Sequence, residues 1–178
     1  MLRGLILPAL VLVFAAACGG NGEPAGGAVE EVPGFEVTSR EFGQGGDIPV
    51  EHTCDGADRP PSLEWTGFPE GTEELALIAE DPDAPGGAFV HAVIFGLEAD
   101  GSGFPPSSPA TFAVNDFGEQ GYSGPCPPEG DPPHRYVFAL YALGAALTLE
   151  PGISHEDARE AIESAAIART TLVGLYGR

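Results

Sequence analysis

Three uninterrupted apolar runs dominate the chain: residues 75–79, 91–95 behind the leading His91, and 136–143. Runs of this length, bounded by Gly, Pro and Asp, predict strands buried on both faces. The first stops at Asp81-Pro82, because proline has no N–H to give to a strand ladder. Shorter strands are predicted at 35–38, at 63–65 (ended by Gly67 and Pro69) and at 172–176. One helix is predicted near the end. Ser154 is its N-cap, Asp157 three residues on resembles a capping box, and Ala158, Ala161, Ile162 and Ala165 share one face. Residues 98–133 are turn-rich, and no internal repeat is visible. The pattern predicts a mainly β protein, a sandwich with long loops and a C-terminal helix.

The N-terminal stretch follows a different logic. Arg3 precedes an apolar run over 5–17 that is short for a bilayer span, and Ala15-Ala16-Ala17-Cys18-Gly19-Gly20 follows. This resembles a bacterial lipobox, with Ala15 where Leu is commoner. The resemblance implies a lipoprotein signal peptide over 1–17, cleavage before Cys18 and lipidation of its sulfur. The protein is then exported and attached to the cell membrane by acyl chains alone. Plain secretion and a retained anchor helix are the alternatives. Residues 18–33 read as a flexible tether, leaving 34–178 as the folded domain.

Composition narrows the function classes. Gly 26 and Pro 18 suit short strands joined by many turns. Asp and Glu total 27 against 7 basic residues, all arginine, for a formal charge of −20. That balance argues against nucleic acid as a partner and against electrostatic adhesion to anionic lipid. With Cys18 assigned to the anchor, Cys54 and Cys126 remain as an even pair in an oxidising compartment. A disulfide between them is expected. The alternative is two thiols lining one pocket.

Four polar residues stand where apolar runs meet loops: Asp81, His91, His134 and Tyr136. His134 and Tyr136 are two apart, so on a strand they face the same way. Three strand ends together could offer a carboxyl, two imidazoles and a phenol to a phosphate or sulfate oxygen. The loop Ser123-Gly124-Pro125-Cys126 could add backbone N–H donors.

Asp81-Pro82-Asp83-Ala84-Pro85 with His91, and Gly121-Tyr122-Ser123-Gly124-Pro125-Cys126-Pro127-Pro128 with His134-Arg135-Tyr136, resemble hallmarks of the phosphatidylethanolamine-binding family, in its bacterial Raf kinase inhibitor-like branch. Thr53-Cys54-Asp55-Gly56, Leu63-Glu64-Trp65, Asn115-Asp116-Phe117-Gly118 and the terminal Gly174-Leu175-Tyr176-Gly177-Arg178 fit the same pattern. The resemblance spans about residues 35–178. It implies an antiparallel β-sandwich and a small cavity for phosphate-like anions, including a phospholipid head group. Asp81, His91, His134 and Tyr136 match pocket positions, and Gly124, Cys126 and Pro128 fall on a Gly/Pro wall.

Asp83 is expected to organise the turn by bonding the backbone two residues on. Pro85 is a candidate for a cis bond. Ala92 stands where bacterial relatives carry Trp, and Pro60-Pro61-Ser62-Leu63 replaces the usual Ser-Pro-Pro-Leu. Loss of that Trp is expected to widen the pocket mouth or remove an aromatic wall.

These residues predict a binding protein without catalysis, without a cofactor and without a metal site. Its partner would be a phosphate-like anion, on a lipid head group or a phosphorylated protein. The alternative is a protein-interaction module that inhibits a serine protease or another enzyme, with loops in 98–118 carrying the contact. No Gly-x-Ser-x-Gly or His-Glu-x-x-His motif marks an enzyme. Titration of the His pair is expected to tighten anion binding at about pH 6 relative to pH 8.

Overall fold

The computed structural model describes residues 32–100, 103–107 and 109–178. The expected signal peptide over 1–17, Cys18 and most of the expected tether lie outside the described residues. Val32 packs against the core.

Among the described residues, eight strands and one α-helix follow in chain order, with a short 3-10 turn at Val50–His52. They are β1 (Glu36–Ser39), β2 (Gly46–Asp47), β3 (Leu63–Thr66), β4 (Glu74–Asp81), β5 (Phe89–Leu97), β6 (Thr111–Phe112), β7 (His134–Leu143), α1 (His155–Ala165) and β8 (Ala166–Tyr176). One sheet has six strands in the order β2-β8-β7-β4-β5-β6, and β1 pairs with β3 in a second. The pairings are antiparallel except for the short parallel contact of β2 with β8.

The continuous apolar runs follow from this layering. Leu75, Leu77 and Ala79 face a core shared with Val37, Leu63 and Trp65 of the small sheet. Ala76 and Ile78 face the other way, toward Ala158 and Ile162 of the helix. Both faces of β4 are therefore covered, and polar residues have no place on it except at its ends. Ser154 caps α1 as expected, its Oγ accepting from Asp157 N–H at 3.1 Å.

β8 differs most from expectation. It starts at Ala166, directly after the helix, and not at residue 172. It pairs with β7 from Leu143↔Ala166 to His134↔Tyr176. Its first half carries Arg169, Thr170 and Thr171, whose half-exposed positions mask the apolar signal. Pairing to β7 holds this stretch extended. The bond before Pro85 is trans, contrary to expectation; the cis X-Pro bond among the described residues is Phe104–Pro105.

Candidate functional site

The predicted strand ends meet. Asp81 closes β4, His91 lies near the start of β5, and His134 and Tyr136 open β7. All four are buried. His134 Nδ1 lies 2.7 Å from Asp81 Oδ2. The His91 and Tyr136 rings meet edge to face at 5.3 Å. A β-bulge presents His91: Ala79 pairs with Ala92 and Glu80 with Val90, so His91 is the extra residue between them. A bulge of this kind turns a side chain out of the regular ladder.

The hydrogen bonds assign protons. Ser123 O is a carbonyl and can only accept, so His91 Nδ1 at 2.7 Å carries the hydrogen. Nε2 keeps its lone pair. Burial, the leading cause, holds the His91 pKa below its ordinary value, against the opposing pull of Ser123 O and the Asp81 charge. His91 therefore stays neutral where a free imidazole would be charging. This weighs against the expectation that His91 charges to bind anions near pH 6. It also withdraws stability on the acidic side, because the unfolded chain takes up a proton near pH 6.5 that the folded site resists. Tyr136 Oη is buried and makes no hydrogen bond of full geometry, although the Asp81 carboxylate and the Cys126 backbone lie close enough to act on it. Burial first, then the nearby Asp81 charge, push its pKa up, so the phenol keeps its proton.

Asp81 also takes the turn role expected of Asp83: its Oδ1 accepts from Asp83 N–H at 2.8 Å. Asp83 instead forms a fork with Arg135, at 2.8 Å from Nε and 2.6 Å from Nη2. Arg135 beside it lowers the Asp83 carboxyl to about 2.

The wall loop departs from expectation in detail. Gly124 N–H donates to Asp58 Oδ1 at 2.7 Å, so it is not open to a ligand. Glycine is required there because a Cβ would come within 2.3 Å of His52 O and 2.5 Å of Asp58 Oδ1. Cys126 is bonded to Cys54, as expected. Pro128 is exposed, and its carbonyl closes a turn with Asp131 N–H. The mouth keeps an aromatic wall despite Ala92, which is fully buried in the core. Phe89 and Phe117 pack edge-on against His91 at 5.4 and 5.6 Å.

Asn115 is a site residue to which sequence reasoning gave no role. Its Nδ2 donates to His91 O, Gly121 O and Ser123 Oγ, and its Oδ1 accepts from Phe117 and Glu119 N–H. It ties the bulge, the aromatic lip and the wall loop together. Asn115→Asp keeps the acceptor and loses the donors. We expect it to cost about 2 kcal/mol in urea unfolding, with fold content retained by circular dichroism. Among the described residues, no group of three or more His, Cys, Asp or Glu is placed to hold a metal ion.

The site comprises donors, one imidazole acceptor and a buried carboxylate, ringed by aromatics. Comparisons with known proteins agree with this architecture. The family model described as phosphatidylethanolamine-binding protein matches residues 38–177. A UPF0098 protein of Methanothermobacter thermautotrophicus is 44% identical over 81% of this chain and 99% of its own length. A Mycobacterium tuberculosis protein provisionally named lipoprotein LppC is also 44% identical, over 79% of this chain and 71% of its own. The crystal structure of Escherichia coli YbcL, described as a new member of the mammalian PEBP family, superposes with a TM-score of 0.76. It is 31% identical and covers 82% of this chain and 99% of that one. The chain belongs to the phosphatidylethanolamine-binding protein family.

Proposed function

We propose that this protein is a non-catalytic binder of a phosphate-like anion, carried on a phospholipid head group or a phosphorylated partner. The single observation behind this reading is the convergence of Asp81, His91, His134 and Tyr136 at one buried point, where the Tyr136 hydroxyl makes no hydrogen bond of full geometry. A buried donor without an acceptor costs free energy, and a ligand oxygen relieves it. We further propose export and anchoring through Cys18. The sequence Ala15-Ala16-Ala17-Cys18 and the lipoprotein name of the mycobacterial relative support this.

Calorimetry with phosphorylethanolamine and inorganic phosphate tests the site. Saturable binding is expected. Tyr136→Phe, which removes only the donor, should weaken it about tenfold or more. Absence of binding to the folded wild-type protein by either probe overturns the reading.

A further inference from the structure

We propose that Phe117, with Phe89 beside it, sets the specificity of the pocket: the two rings receive the carbon atoms of a phosphate ester, so the site prefers an esterified phosphate to the free ion. This inference rests on the anion-site reading above and specifies what must be attached to the anion.

A row of aromatic rings carries the inference. It starts at Tyr136, 3% exposed, and passes at 5.3 Å to His91, 4% exposed. From His91 it reaches Phe89 at 5.4 Å and Phe117 at 5.6 Å, and those two rings meet edge to face at 4.8 Å. Phe89 is half-buried and Phe117 is 45% exposed. The rings therefore lead from the buried phenol out to solvent. A phosphate oxygen at the Tyr136 hydroxyl leaves the ester carbons to lie along them.

The exposure of Phe117 needs a reason. A single exposed apolar side chain is ordinary on a protein surface. Phe117 is not single, because it continues an aromatic face that begins inside the site. Its turn is also fastened. The N–H groups of Phe117 and Glu119 both donate to Asn115 Oδ1 at 3.0 Å, and Gly118 N–H donates to Asn115 O at 2.9 Å. Asp116 ties the turn to β5 next to His91: its N–H donates to Val90 O at 3.1 Å, and its Oδ2 accepts from Val90 N–H at 2.6 Å. A ring on a fixed backbone has only two side-chain torsions to lose when a ligand covers it.

The rim is divided by chemistry. Beyond His134 stands Asp131, a half-exposed carboxylate whose Oδ2 lies 3.8 Å from His134 Nε2. Carbon laid against a hydrated carboxylate gains nothing, whereas each methylene taken from water onto a ring gains about fourfold in affinity. Ester carbons are thus sorted to the phenylalanine side.

The test is calorimetry with inorganic phosphate, methyl phosphate and butyl phosphate at pH 8, where all three are chiefly doubly charged. Wild type should bind butyl phosphate about tenfold or more tighter than inorganic phosphate, with methyl phosphate between them. Phe117→Ala should bring the ratio of butyl to inorganic phosphate within about threefold. Phe117→Leu, which keeps an apolar side chain, should retain most of it. Circular dichroism checks that both variants fold. Equal affinities for the three probes in wild type overturn the inference. So does a ratio that survives Phe117→Ala, or a folded variant that loses affinity for all three probes alike, as a merely structural ring would. Failure of every probe to bind folded wild type overturns the anion-site reading itself, and this inference with it.

Discussion

Replacing Cys54 and Cys126 together with serine should lower the unfolding free energy by about 4 kcal/mol and leave ligand affinity within about threefold of wild type. The first figure follows from topology. The bond links residues 72 apart, so cutting it returns a long loop's conformational freedom to the unfolded chain. The second follows from redundancy. Three further contacts hold the wall loop to the segment that carries Cys54: Cys54 N–H to Pro125 O at 3.1 Å, Tyr122 Oη to His52 O at 3.2 Å, and Gly124 N–H to Asp58. The close seat of Gly124 against His52 and Thr53 adds shape to these bonds. Guanidinium melts of the double variant, and of wild type with and without reductant, measure the stability term. Calorimetry below the midpoint measures the affinity. A drop below about 1 kcal/mol, or loss of binding by a folded variant, contradicts this account.

Local chemistry made part of this protein legible in its sequence. The runs that became β4, β5 and β7 were visible because both faces are buried, and α1 because its cap and apolar face are local features. The meeting of Asp81, His91, His134 and Tyr136 could be anticipated because a buried strand carries polar side chains only at its ends. Asn115, Asp58 and Phe117 could not be assigned roles in this way. Their partners lie at His91, Gly124 and Phe89, so their work exists only after the sheet closes. The Asn-Asp-Phe-Gly turn was a visible motif without a visible partner. The turn role fell to Asp81 and not to Asp83 for a similar reason. Either side chain can bond a turn amide, and the competition is decided by Arg135, which arrives on β7 and claims Asp83.

Asp81 is the residue whose loss should cost most. It is buried, it accepts from His134 Nδ1 at 2.7 Å through one oxygen, and it accepts from Asp83 N–H at 2.8 Å through the other. Asp81→Ala strands both donors in a dry site and should destabilise the fold by about 3–5 kcal/mol, the range for breaking a buried pair from one side. Asp81→Asn fills the same volume and retains an acceptor for Asp83, so about half of that loss should be recovered. Urea unfolding of both variants checks the order. If Asp81→Asn unfolds as readily as Asp81→Ala, the carboxylate charge matters more than the turn acceptor.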